Sequence, residues 1–301
     1  MNRVAQHPVK AFAVALAAVG ILSVMDALMK ALVIALGIYA ISLWRSVVSL
    51  AMASALYLPR RLPWPSRSTL KIHVARAAVV MIMAFLFFWG IGRVPLAQAI
   101  ALTFIAPLIA LVLAALVLGE TIGPRSIAGS IAAFAGVVVI VLGQARPELG
   151  PGVLLGTVAI IASALCYAVN IVLMRHQALA AKPLEITFFQ SLVVTLLWFA
   201  VIPFAGLPVW PATVWWGWIA LASAMSIAGG LLFAYAYARA EASYLAVTEY
   251  SAFLWASVLG WTVFQERLGP YTVAGAVLIV GGCIVASRGK RAVPPEIEVA
   301  A

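Results

Sequence analysis

"GETIGPRSIAG", from Gly119 to Gly129, and "QERLGPYTVAG", from Gln265 to Gly275, are one phrase written twice. The glutamates (Glu120, Glu266), the prolines (Pro124, Pro270) and the closing glycines (Gly129, Gly275) all recur at an offset of 146. Each copy reads as a helix end, a turn and a new helix. Proline suits the first turn of a helix because its missing N–H would be unpaired there anyway. The carboxylate four residues earlier can accept from the exposed N–H groups of that helix and complement its positive end, which is the structural reading of both glutamates.

A chain of 301 residues with 65% hydrophobic and 9% charged residues cannot hide that much apolar surface inside a water-soluble globule. Its apolar runs approach or exceed the roughly 20 residues a helix needs to cross about 30 Å of hydrocarbon. The pattern predicts an all-α membrane protein with ten transmembrane helices, at 11–31, 38–58, 70–91, 95–118, 124–143, 151–173, 185–205, 213–237, 243–264 and 270–287. The net charge of +10 sits in loops between apolar spans, so it speaks for topology and not for nucleic acid. Arg3, Lys10, Arg60, Arg61, Arg67, Lys71, Arg76, Arg125, Arg175, Lys182, Arg239, Arg288, Lys290 and Arg291 fall on one side. Only Lys30, Arg93, Arg146 and Arg267 fall on the other, with Arg45 inside a helix. The positive-inside rule then places both termini in the cytoplasm of a cell (inner) membrane protein, in agreement with an even helix count. The N-terminal "MNRVAQHPVK" and the apolar run from Ala11 resemble a signal peptide, but the run is too long for a signal core and reads as an uncleaved first helix. Cys166 and Cys283 lie inside apolar spans without metal-ligand spacing.

Both halves start at similar points of a five-helix pattern, and an odd number of crossings makes the second copy enter the membrane from the opposite side. The repeat is therefore expected to be inverted, with one half at 1–146, the other at 147–290 and a cytoplasmic tail at 291–301. "ISLWRSVVSL" from Ile41 aligns with "ITFFQSLVVT" from Ile186 at an offset of 145, pairing Trp44 with Phe189 and Arg45 with Gln190. Asp26 falls opposite Asn170. Inverted halves have two arrangements of nearly equal energy around a midplane site, which is transporter architecture, although symmetry alone does not exclude a channel.

The junctions Glu120–Gly129 and Glu266–Gly275, with "FIAPLIALVLAALVLGE" leading into the first, resemble the EamA family of the drug/metabolite transporter superfamily over nearly the whole chain. The resemblance implies ten helices in two domains and a secondary carrier, most simply an exporter of neutral and aromatic amino acids or related small metabolites. Efflux of organic cations or drugs through the same cavity is the alternative it leaves open, and a membrane enzyme or scaffold is the remote one. The family often carries a proline in the middle of helix 4 and of helix 9; here Pro107 is matched by Phe253, so a hinge at the second place is not expected.

Candidate site residues follow from polar and aromatic side chains inside apolar spans. Asp26 costs roughly 2.5–3.5 kcal/mol to insert and so faces a cavity or a partner; it reads either as an ion pair with Lys30 one turn on or as an ammonium site. Arg45 either holds a substrate carboxylate with its fork of donors or neutralises Asp26. Glu249, whose repeat mate is Thr103, has no local cation and is a candidate for substrate or proton. Trp44, Trp89, Tyr167, Tyr244 and Tyr250 offer aromatic faces, and Gln98, Thr103, Asn170 and Gln190 offer hydrogen bonds, to a substrate or to a neighbouring helix. Trp210, Trp215, Trp216 and Trp218 read as an interfacial belt. Gly129, Gly136, Gly275 and Gly282 form a small-residue seam seven apart on their helices.

"GPGVLLG" from Gly150 opens an apolar helix instead of following a strand, so it is no nucleotide-binding loop, and there is no Walker lysine motif. His7, His73 and His176 are scattered near cytoplasmic ends with no H-E-x-x-H or paired aspartates, which leaves an intramembrane hydrolase unsupported. No cofactor, metal or nucleic acid is expected. The expected partners are a small-molecule substrate and membrane lipid; proton coupling, and the choice between monomer and homodimer, stay open.

Overall fold

Proline and glycine punctuate this chain. The computed structural model describes residues 8–60, 64–106, 108–109, 124–144, 151–237, 248 and 251–287. Its helices are α1 (Pro8–Leu36), α2 (Ile38–Tyr57, running into a 3-10 turn Leu58–Arg60), α3 (Arg67–Ile91), α4 (Leu96–Thr103) and α5 (Pro124–Gln144), then α6 (Pro151–Ala180), α7 (Pro183–Ala205), α8 (Thr213–Tyr237), α9 (Ser251–Phe264) and α10 (Pro270–Ser287). Proline opens α5, α6, α7 and α10 as its geometry favours. Gly37 separates α1 from α2 at φ 78°, a left-handed conformation that a side chain would strain. Ser66 caps α3, its Oγ accepting from the Thr69 N–H at 3.2 Å.

Among the described residues there is no strand. Six helical stretches, at 9–36, 38–60, 67–91, 152–170, 183–205 and 213–233, are long and apolar enough to cross a membrane, and shorter apolar stretches run at 127–143, 251–264 and 270–282. The protein is a multi-pass helical membrane protein. α1 and α6 extend beyond the expected 11–31 and 151–173, because their ends carry no breaker until Gly37 and the Ala181–Lys182 turn before Pro183. The expected helix 95–118 is described only as α4. Past Thr103 the chain tightens: Phe104 and Ile105 donate to carbonyls three residues back, at 3.3 and 3.4 Å. Pro107, just beyond, lies outside the described residues, as do 243–247, 249 and 250 of the expected helix 243–264.

The main packing partners run antiparallel. Met83 of α3 accepts from Ser163 of α6, and Tyr39 at the start of α2 donates to Gly206 at the end of α7. α5 and α10 meet most closely, along the glycine seam: a Cβ at Gly136 would stand 2.6 Å from the Gly275 carbonyl oxygen. In lipid, where burial of apolar surface drives nothing, such close backbone approach is what holds two helices together. The packed pairs also form a pattern. Exchanging α1–α5 with α6–α10 turns α3·α6 into α1·α8, α3·α7 into α2·α8 and α4·α6 into α1·α9, and returns α2·α7, α4·α9 and α5·α10 to themselves.

Filling the seam should cost about 1–3 kcal/mol by overpacking. Gly136→Ala is expected to lower the thermal midpoint of the detergent-solubilised protein, whereas Gly217→Ala, with nothing within 4 Å of its would-be Cβ, should leave it unchanged.

Candidate substrate site

Asp26 on α1 and Arg45 on α2 are both partly buried and lie within electrostatic reach of each other. The Arg45 guanidinium carbon stands 5.5 Å from the centre of the Phe88 ring, and the Arg45 backbone carbonyl accepts from Ser223 Oγ at 3.3 Å. Arg45 Nε is buried and has no hydrogen-bond partner; the same is true of both amide atoms of Gln190 on α7. Leaving a buried polar group unanswered costs about 1–3 kcal/mol or more for a charged one, so each such atom calls for an explanation. Arg45 and Gln190 are the two positions that the repeat aligns.

The other candidates have local duties. Trp44 Nε1 donates to the Val209 carbonyl at 3.0 Å, and its ring meets Trp210 and Trp216 edge-on at 4.5 and 5.4 Å, tying α2 to the entrance of α8. Trp89 lies 3.6 Å beneath the Arg93 guanidinium. Buried Gln98 donates to Thr157 Oγ1 at 3.4 Å, and Thr103 Oγ1 donates to its own helix at Ile100. Asn170 Oδ1 accepts from Arg76 Nε at 2.9 Å, with Tyr167 one turn away and partly buried against the core. Glu120, Tyr244, Glu249 and Tyr250 lie outside the described residues. Pro124 and Pro270 begin α5 and α10. Among the described residues no three His, Cys, Asp or Glu side chains converge to hold a metal.

Arg76, Gln177, His73 and Glu185 form a network that sequence reading passed over. Their signal was there as spacing, since His73 and Arg76 are one turn apart on α3 while Asn170 and Gln177 are two turns apart on α6. What no pattern supplies is that these two faces meet.

Lys30 does not turn to Asp26. Its ammonium pairs with Glu266, donates to the Val94 carbonyl at 2.7 Å and stands 5.1 Å from the Phe264 ring centre. Glu266 in turn does not cap α10, the helix it precedes. Its Oε2 accepts from the Leu96 N–H at 2.8 Å, at the first residue of α4, where an orphan donor and the positive end of the helix welcome a carboxylate. Gln265 at φ 56° makes the turn that aims it, and Gly260 makes the room, since a Cβ there would lie 2.8 Å from Glu266 Oε2. One carboxylate thus joins α1, α4 and the α9–α10 turn.

Beside this junction, Leu28, Ala31 and Leu32 of α1 face Trp215 and Trp218 of α8 across an apolar cavity of about 310 Å³. These two tryptophans, read from sequence as belt residues, line a space that opens between helices.

Removing the Lys30 charge leaves a carboxylate partly buried and unpaired. Lys30→Met should destabilise by about 3 kcal/mol, the lower end for a broken buried pair because Glu266 keeps some solvent contact. Adding Glu266→Gln should restore part of the loss in a thermal-unfolding double-mutant cycle; additive losses would show that the two groups do not interact.

Comparison with known proteins adds four findings. The sequence profile described as the EamA-like transporter family matches residues 9–142 and again 154–288. The chain is 29% identical over 231 residues to the pseudopaline exporter CntI of Pseudomonas aeruginosa strain UCBPP-PA14, covering 75% of this chain and 78% of that protein. It is 28% identical over 235 residues to the protein of the same name from strain PAO1, with the same coverage. A protein of known crystal structure shares the fold, with a TM-score of 0.62 at 21% identity over 92% of this chain and 96% of that one.

Proposed function

The chain belongs to the EamA-like transporter family, and we propose that it is a secondary exporter of small zwitterionic metabolites, chiefly neutral and aromatic amino acids or compounds built on them. The observation that carries this reading is the pair of opposite charges on membrane-spanning helices, Asp26 on α1 and Arg45 on α2, with the guanidinium Nε left without a protein partner. A carboxylate can take both faces of the Arg45 fork, an ammonium can sit against Asp26, and the Phe88 ring supports either cation or side chain. A simple organic cation would use Asp26 but leave Arg45 unanswered and repelling. Similarity to two proteins named as exporters supports outward movement of a metabolite; no ATP-binding motif is present, so a gradient has to supply the work.

The site works by alternating access between two inverted five-helix halves, 1–146 and 147–290, with ten crossings and both termini on the cytoplasmic side of the inner membrane. Three independent facts support that arrangement: the offset of 146 between the junction phrases, the family profile matching once in each half, and the exchange pattern of the packed helices. Rocking one half against the other exposes a midplane site to each side in turn.

Ser66 before α3 and Ala212 before α8 stand at repeat-equivalent places and are both exposed. With Cys166 and Cys283 replaced, single cysteines there should react with an impermeant maleimide from opposite sides of sealed vesicles; labelling from the same side would end the inverted-repeat reading.

Substrate class is tested by saturable counterflow of labelled phenylalanine in proteoliposomes and by survival of overexpressing cells in toxic amino-acid analogues. A hydrogen bond to a charged group is worth about 1.5–3 kcal/mol, so Arg45→Gln and Asp26→Asn should each raise KM by about tenfold or more. Arg45→Lys should recover little, because a point charge lacks the fork. Saturable flux of a quaternary ammonium with none of any amino acid would assign the site to organic cations.

A further inference from the structure

His73 is fully buried in α3, stacked on the Phe189 ring at 5.1 Å and 12°, and its neighbours allow the imidazole one hydrogen-bonding arrangement. Arg76, one turn along, can only donate. Its Nη1 lies 2.5 Å from Gln177 Oε1 and its Nε 2.9 Å from Asn170 Oδ1. The Gln177 amide therefore points its oxygen at Arg76 and its nitrogen at His73 Nδ1, 2.5 Å away. An amide nitrogen donates, so Nδ1 accepts and carries no proton. The neutral ring then holds its proton on Nε2, aimed at Glu185 Oε1 at 3.3 Å. Donation runs in one sense from a guanidinium to a carboxylate, with a neutral imidazole between them.

A second proton on this ring has to go to Nδ1, where it meets the Gln177 amide, donor against donor. Gln177 cannot answer by turning over, because its nitrogen would then face the donors of Arg76. Protonation of His73 must displace Gln177 and free Arg76, which also holds Asn170, the residue that the repeat aligns with Asp26. Glu185 keeps about 14% of its side-chain surface exposed while His73 has none, so the proton enters by the carboxylate.

We infer that His73, with Glu185 as its counter-ion, binds one proton in each transport cycle, and that Gln177 and Arg76 carry the event to Asn170. This rests on the exporter reading and names its coupling ion: a proton moving down its gradient while substrate moves the other way. The groups around the imidazole are Glu185 from α7, Gln177 from α6, Arg76 on its own helix, with Tyr167 of α6 beside that guanidinium, and, beyond the Phe189 ring, Tyr57 from α2. Arg67, Lys71 and Lys182, near the same end, are exposed to their surroundings. No other kind of side chain changes charge so readily near neutral pH, and here that change is wired to a guanidinium.

The test reads the proton directly. In a His7→Asn, His176→Asn background His73 is the sole histidine, and 15N NMR of the purified full-length protein should show the neutral Nε2–H tautomer in alkaline buffer and a doubly protonated ring in acid buffer. Gln177→Leu should abolish the tautomer preference. An Nδ1–H tautomer, or a ring that stays singly protonated in both buffers, overturns the inference. In proteoliposomes with labelled phenylalanine as probe, His73→Gln should bring accumulation driven by a pH gradient down to equilibrium and make exchange insensitive to pH. Gradient-driven accumulation by a folded His73→Gln protein also overturns it. If the wild-type protein moves no phenylalanine, the amino-acid reading fails by itself, while the imidazole titration still decides the proton site.

Discussion

Hydrocarbon offers no hydrogen bonds, so every polar group this chain carries into the membrane has to be answered from within the protein. Helices answer the backbone. The side chains are answered in a few places, and those places organise the molecule. Glu266 is the clearest case: its carboxylate takes the Lys30 ammonium on one oxygen and the first N–H of α4 on the other, while Gly260 gives way behind it. Three elements distant in sequence are held at one point by a single side chain, and the positive φ of Gln265 is the strain accepted to aim it.

Against that background the unanswered groups stand out. Arg45 Nε and the Gln190 amide are buried without partners at positions the repeat equates, one in α2 and one in α7, helices that pack on each other. Asn170, the counterpart of Asp26, is held by Arg76 instead of an acid. The two aligned positions thus meet different chemistry: Asp26 of α1 lies near the base Arg45 of α2, whereas Asn170 of α6 is held by a cation of α3, Arg76, which is coupled through Gln177 to His73.

Close backbone contact supplies the stability that the apolar effect does not provide in lipid. The α5–α10 seam, where Gly136 and Gly275 face each other, leaves no space for a methyl group. It packs α5 and α10 together at backbone-to-backbone distance.

Composition and periodicity by themselves determined that the protein is a membrane-embedded helical chain, and they located most helix ends, because prolines at first turns and glycines at breaks act locally on the backbone. α2, α3 and α5 to α8 lie within a few residues of where the apolar pattern placed them, save for the long C-terminal extension of α6. The family was legible too, in the doubled junction phrase. Partner choice was not. Sequence spacing put Lys30 one turn from Asp26 and Glu266 four residues before a helix-opening proline, and both local pairings are chemically sound; the folded chain instead joins Lys30 to Glu266 across 236 residues, because α1 and α9 pack against each other and the start of α4 presents its free N–H between them. His73 shows the same limit: in the sequence it is a solitary histidine, and only the packing of α3 against α6, antiparallel, and α7, parallel, encloses it between an amide and a carboxylate. Local chemistry is written residue by residue, whereas which charges meet is decided by helix packing, and packing depends on distant surfaces that no short stretch of sequence contains.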